Sequence, residues 1–209
     1  MAGRPLIEWQ IEWLKSYGVR EFIVCAGYLA TKTIEALKNG RRLGVKIAYV
    51  VEPEPLGTAG ALKNAELILR NEPGFFVLNG DILAGLNPLR LIEAVERDEN
   101  LVGAIAVVPM PSPYGVIHFD DNMLITKFEE KPRLPFWINA GVYYFRPSIF
   151  DYLPEQGDLE KEVFPKLAER RLLKAVCFDR VPWKSLDTHK DLKEMEHIVA
   201  QLFGGRAQR

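Results

Sequence analysis

"EFIVCAGYLATKTIEALKNGRRLGVKIAYVVEPEPLGTAGAL", residues 21–62, decides the architecture. "EFIVCAGY" is a short apolar run rich in strand formers, which reads as a buried strand. "ATKTIEALKNG" reads as a helix ending near Gly40, and "VKIAYVV" as the next strand. An acidic, proline-rich turn follows, Glu52, Pro53, Glu54 and Pro55. Then come Gly57 and Gly60, where the pattern turns helical. A strand, a helix, a second strand and a second helix in this order predict a mostly parallel sheet covered by helices.

The same rhythm extends both ways. Upstream, "PLIEWQIEWLKSYG" has Pro5 at a helix start, Gly18 at its end, and Ile7, Ile11 and Leu14 at helical spacing. Trp9 and Trp13, four apart, add an apolar face that reads as core packing over a subunit contact. Downstream, "TAGALKNAELILR" is a helix and "FFVLNGD" a strand. "NPLRLIEAVERDE" is a helix with Asn87 as N-cap and Pro88 at its first turn, and "LVGAIAVVPM" a strand. Beyond that the pattern changes. "YGVIHFDDNMLITKFEEKP" predicts two short strands around a polar turn at Asp120 to Asn122. "INAGVYYFRP" and "LLKAVCFDRV" read as strands. "DLEKEVFPKLAERR" is helical with a break at Pro165. "THKDLKEMEHIVAQLF" is an amphipathic helix with Thr188 as N-cap, and the tail "GGRAQR" is expected to fray. No repeat or linker interrupts the chain, which reads as one domain over residues 1–209.

Composition excludes several function classes. The 209 residues are 48% hydrophobic and 26% charged, enough for a full core. Net charge is −1 with no basic run, which argues against nucleic-acid binding. Cys25 and Cys177, far apart in apolar strands, read as core thiols of a reducing cytoplasm and not as a disulfide or metal site. No apolar run reaches membrane-spanning length, and "MAGRPLIEWQ" lacks a signal-peptide core. No G-x-G-x-x-G follows the first strand, so a dinucleotide-dependent oxidoreductase is poorly supported.

Ligands of open α/β sheets bind beyond the carboxyl ends of the strands. Three polar corners lie there: "GYLAT", "EPEPLGTAG" and "NGD". The GTAG turn opens a helix whose free N–H groups attract anions or polar ligand edges; alone, it reads equally as a capped loop. Asp81 follows a buried strand, a common place for Mg²⁺ and equally for a turn-capping Asp. "FEEKP" offers Glu129, Glu130 and Lys131. On a continuing strand Glu129 and Lys131 share one side and Glu130 takes the other. Asp187 precedes a helix, where capping is the default role.

Together, "GRPLIEWQIEWLKSYGV", "EPLGTAGAL", "VLNGD", "YGVI", "FEEKP", "INAGVY" and "WKSLDTHKDL" resemble the sugar-1-phosphate nucleotidyltransferases in order and spacing. The resemblance covers Gly3 to about Leu192. It implies an α/β, three-layer nucleotide-diphospho-sugar transferase fold, Rossmann-like, with a mixed, mostly parallel sheet. It also implies a reaction in which a sugar phosphate oxygen attacks the α-phosphorus of an NTP and pyrophosphate leaves. Carried over residue by residue, it implies that Asp81 and Asp187 hold Mg²⁺ and that Glu130 binds sugar hydroxyls. Lys131 would bind the sugar phosphate. Gly115 and Asn139 would line the sugar pocket, and Glu52, Pro55 and Gly57 would surround the base.

Where relatives that use uracil or thymine commonly carry Gln, this chain has Glu52. A carboxylate only accepts hydrogen bonds, which suits the adjacent N1–H and N2–H₂ donors of guanine. GTP and mannose 1-phosphate are therefore the favoured substrates, with Glu54 as the alternative reader of the base. The family begins with a strand and a glycine-rich loop ending in Thr-Arg, followed by a Pro-Lys-Pro segment. Here "GRPLIEW" starts at Gly3, and no G-x-G-T-R occurs. The expectation is a domain lacking the usual first strand, with weak or no turnover. It could arise from a misassigned start, a true truncation or a non-catalytic sugar-nucleotide-binding or regulatory relative. A cytoplasmic setting, small-molecule substrates and a possible homo-oligomer complete the expectation, with no membrane partner.

Overall fold

In the computed structural model, residues 3–204 are described. Helix α1 (Leu6–Ser16) starts at Pro5 and is followed by strand β1 (Glu21–Ala26). Then come α2 (Ala30–Leu37), β2 (Lys46–Val51), α3 (Gly57–Asn64) and the short α4 (Glu66–Leu69). Strands β3 (Phe75–Leu78) and β4 (Ile82–Ala84) flank the NGD corner. Helix α5 (Leu89–Glu96) is capped by the Asn87 side chain, which accepts from Leu89 N–H at 3.1 Å. Strand β5 (Gly103–Pro111) leads to the hairpin β6 (Val116–Phe119) and β7 (Ile125–Glu129), then to the long β8 (Arg133–Phe145). A π-helical turn over Leu159–Val163 runs into α6 (Phe164–Glu169). Pro165 thus sits in the first turn of α6, where its missing N–H costs nothing. Strands β9 (Leu173–Cys177) and β10 (Trp183–Ser185) and helix α7 (His189–Phe203) complete the chain. Most of the tail "GGRAQR" lies outside the described residues.

The main sheet has the order β3–β8–β5–β9. Strands β3, β5 and β9 run one way, and β8 runs against β3 and β5. Alternating side chains cover both of its faces. Phe76, Leu78, Ala104, Ala106, Ala140 and Val142 enter a core with Trp9, Trp13, α5 and α7. Phe75, Val102, Tyr143 and Phe145 enter another with α3 and α6. This is the three-layer α/β arrangement. Both tryptophans of α1 are buried, and Trp13 Nε1–H donates to Leu86 O at 3.1 Å.

One expectation fails. Strand β1 was expected to be buried, yet only Ala26 is, and Cys25 and Cys177 are exposed and not core thiols. The reason lies in the sheet. Strands β1 and β2 pair in parallel with each other alone, apart from the four-stranded sheet. Among the described residues neither the free edge of β1 nor that of β3 has a partner strand, so apolar β1 side chains stay accessible. A small separate core of Ile11, Leu37, Leu43 and Val45 docks this pair onto α1.

Candidate functional site

The NGD corner is held from three sides. The buried Gln10 of α1 donates to Asn79 O at 2.9 Å and to Ile82 O at 2.7 Å. Gly141 O accepts from Asn79 N–H at 3.0 Å. Gly141 sits at φ +68°, in an irregularity of β8 where Tyr143 still faces Ile105 and Asn139 faces Val107. A glycine there lets β8 bow toward the corner without strain. Trp183 Nε1–H donates to Ala140 O at 2.8 Å and fixes the same bow from β10.

Strand β10 pairs antiparallel with β4, Ser185 opposite Ile82. The next rung is Leu186 N–H donating to Asp81 O at 2.9 Å. Asp81 and Asp187, more than a hundred positions apart, are thereby brought to one place, both exposed. Capping, the default role for Asp187, has gone elsewhere. Thr188 and Asp191 form a capping box, and Asp191 Oδ2 accepts from the N–H groups of Asp187 and Thr188 at 3.2 and 2.7 Å. The Asp187 carboxylate is exposed and accepts from Ser185 Oγ at 2.7 Å. Hydrogen bonds from Lys184 and Thr188 hold the Asp191 carboxyl far below the usual range.

The GTAG corner differs from expectation. Two of the N–H groups at the start of α3 are taken: Gly157 O accepts from Ala59 N–H at 2.9 Å and Gly60 N–H at 3.4 Å. Gly57, at φ +74°, abuts this same carbonyl, and a Cβ there would collide with it. Its glycine therefore admits residues 155–158 and not a ligand. Pro55 O accepts from Gln156 Nε2–H at 3.1 Å. Glu52 is half-buried, and its Oε2 accepts from Leu56 N–H at 3.1 Å. One Glu52 oxygen thus closes its own turn, and Oε1 has no hydrogen bond among the described residues. Glu54 is exposed.

On the remaining side, β7 ends at Glu129, and Lys131 adopts a left-handed φ of +46°. The alternation rule for Glu129, Glu130 and Lys131 therefore does not apply. Glu129 pairs with His118 and Lys127. Glu130 turns back toward Gly115, and Lys131 lies 3.9 Å from it, a loose pair. Among the described residues no hydrogen bond or ion pair joins Glu130 or Lys131 to Asp81, Asp187 or Asn139.

Three residues that sequence reasoning did not single out, Thr58, Tyr143 and Glu160, tie the two sides together through Asn139. Thr58 Oγ–H donates to Glu160 Oε2 at 2.9 Å, and Tyr143 O–H donates to Glu160 Oε1 at 3.2 Å. Asn139 Nδ2–H donates to Tyr143 Oη at 2.8 Å, and its Oδ1 accepts from Gly141 N–H at 2.9 Å. A continuous path runs from α3 through Glu160 and Tyr143 to the bow of β8. Burial pushes the Tyr143 phenol far above its ordinary value. The acids of "DLEKEV" beside the Pro165 break were the available signal for Glu160; nothing local marks Gly157.

No group of three His, Cys, Asp or Glu suited to a metal occurs among the described residues. Two carboxylates alone still suit Mg²⁺, which keeps water and takes phosphate oxygens as its other ligands. A shallow recess of about 430 Å³ lined by Arg20, Asn39, Arg41 and Lys46 opens at the amino end of β1 and β2. It lies at the wrong end of the strands for the corners above and contains none of the site carboxylates. No described helix is long and apolar enough to cross a membrane.

Residues 1–201 match the family model described as "Nucleotidyl transferase". The catalytic subunit beta of mannose-1-phosphate guanylyltransferase from Drosophila pseudoobscura pseudoobscura is 38% identical over 197 residues, 91% of this chain and 53% of that protein. The mannose-1-phosphate guanyltransferase of Yarrowia lipolytica is 39% identical over 179 residues, 82% of this chain and 49% of that protein. The chain thus spans about half the length of these relatives. Among solved structures, HddC from Yersinia pseudotuberculosis superposes with a TM-score of 0.72 at 26% identity, covering 94% of this chain and 86% of that one. HddC complexed with GMP-PN gives 0.69 at 25% identity, covering 92% and 85%.

Proposed function

Because this chain belongs to the nucleotidyl transferase family, we propose that its site joins a nucleotide to a sugar 1-phosphate, with GTP and mannose 1-phosphate as the favoured pair. The observation that carries this is the β4–β10 rung that brings Asp81 beside Asp187. An in-line displacement at phosphorus requires no protein nucleophile; alignment and charge neutralisation suffice. Asp81 and Asp187 would hold Mg²⁺, which neutralises phosphate charge when bound. Asn139, fixed by Gly141 and Tyr143, would orient the sugar, with Gly115 and Glu130 at the hairpin. Lys131 would meet the sugar phosphate. Its left-handed backbone costs about 1 kcal/mol and its ion pair is loose, as suits a cation kept ready for an anion. Glu52 would accept from guanine through Oε1. The guanylyltransferase relatives and the GMP-PN complex of HddC support the choice of base.

The split between β1–β2 and the main sheet favours a second reading, a sugar-nucleotide-binding module that is not an enzyme. One experiment separates them. Binding of GDP-mannose is measured by calorimetry with and without Mg²⁺, alongside pyrophosphate release from GTP and mannose 1-phosphate. The expected result is Mg²⁺-dependent binding with pyrophosphate release, both lost in Asp81→Asn and in Asp187→Asn, whereas binding without release would favour the module. Binding indifferent to both substitutions would remove the assignment of the pair.

A further inference from the structure

The corner "GYLAT" closes β1 and has no part in the site so far. Strands β1 and β2 run in parallel with Ala26 opposite Val51, and Glu52 N–H donates to Ala26 O at 2.9 Å. The next residues therefore stand side by side: a Cβ on Gly27 would lie 3.8 Å from Glu52 Oε2. A tight turn follows at once, with Gly27 O accepting from Ala30 N–H at 3.1 Å. Tyr28 and Leu29 are its central residues. Turns favour Gly, Pro, Asn, Asp or Ser in such places, and a left-handed residue is ordinarily Gly or Asn. Here Leu29 takes a left-handed φ of +59°, and Tyr28 is 94% exposed. Nothing in the turn itself accounts for either residue. Local rules broken at two successive positions mark a place kept for function.

We propose that Tyr28 is the stacking platform for the nucleobase whose edge Glu52 reads; the inference rests on the nucleotide site proposed above. Two contacts of different direction hold a base. Its edge lies in the ring plane and takes hydrogen bonds, whereas its faces are apolar and take a flat ring. Glu52 Oε1, with no hydrogen bond among the described residues, serves the edge. Tyr28, one residue past the glycine beside Glu52, brings a ring open to solvent. Gly27 between them adds no side chain, so a flat base can lie over the backbone there. The phenol offers no cation to a phosphate, and Asn139, proposed to orient the sugar, lies on β8 of the main sheet. The base is thus the part of the ligand that this ring meets. Stacking accepts every base, because every base has a π-face. Tyr28 accordingly supplies affinity, and Glu52 the choice.

Calorimetry on the full chain with Mg²⁺ tests it, with GDP, UDP and inorganic pyrophosphate as probes. Tyr28→Ala should weaken GDP and UDP by the same factor, about tenfold to a hundredfold, and leave their ranking and pyrophosphate binding unchanged. Tyr28→Phe keeps the ring and should stay within about twofold of the unaltered chain. A second measurement needs no variant: the Tyr28 ring protons should shift upfield with GDP and not with pyrophosphate. Tyr28→Ala that binds GDP as the unaltered chain does, with Asp81→Asn still defective, overturns the platform and leaves the proposed reaction standing. Equal loss of all three probes also overturns it, because damage to the whole site, and not lost stacking, would be the cause. An unaltered chain that binds neither GDP nor UDP overturns both.

Discussion

Glu52 acts on two neighbours at once. It closes the Leu56 turn, and it raises the Cys25 thiol. That thiol is accessible at the open edge of β1 yet crowded by protein elsewhere. Desolvation first and the Glu52 charge second push it up to about 11. Cys25 should therefore alkylate slowly at neutral pH despite its exposure, because the thiolate is the reactive form. Glu52→Gln removes the charge, lowers the thiol pKa and should speed alkylation; an unchanged rate would mean that desolvation alone governs it. The same substitution turns one acceptor into a donor. It should shift the ranking of GTP against UTP by about one to two powers of ten, following 1–3 kcal/mol per bidentate base contact. An unchanged ranking, measured by nucleotide binding, would leave Glu52 a loop carboxylate.

At the scale of elements, contacts between distant segments shape the site. Gly57 and Gly157 meet backbone to backbone, and this seats residues 155–158 on α3. Gly57→Ala adds a Cβ at positive φ against a carbonyl and should cost about 2–4 kcal/mol in denaturant unfolding. Gly44→Ala, at a similar φ of +71° with open space around it, should cost less. Helix α7 depends on Asp191, which caps its start and pairs with Lys184 at 2.7 Å. The folded-state pKa of Asp191 is depressed, so its stabilisation is present above the unfolded value near 4 and fades as pH falls through the folded value. Asp191→Asn should lower the melting temperature at neutral pH and flatten its fall below about pH 4. Because Asp191 also holds the Asp187 N–H, the variant should weaken Mg²⁺-dependent binding as well. A melting curve with the same acid slope in both proteins would sink this account.

For the whole molecule, the division of the sheet is the main mechanical fact. Two large cores clamp β3, β5 and β8 from both faces, whereas β1 and β2 rest on a core of four buried residues with α1. Opening free energy follows buried apolar contact, so β1 and β2 amides should exchange faster than those of β5 and β8. Uniform protection across all strands would mean that the division has no energetic weight.

Much of this was legible in the chain itself. Period and punctuation marked α1, the hairpin turn at Asp120 to Asn122, Asn87 and Thr188 as caps and the break at Pro165. They did so because caps, turns and amphipathic faces are chosen by residues within a few positions of one another. The ordered motifs likewise pointed to the family. What the chain could not disclose was decided at long range. The Ala59 and Gly60 N–H groups of the GTAG turn are occupied because Gly157 lies upon them. Asp187 is released from capping because Asp191 takes the role. Glu160 joins Thr58 to Tyr143 only once the π-helical turn packs between them. Cys25 reads as core in an apolar run, but burial of a strand needs neighbours on its edges, and local sequence does not count neighbours.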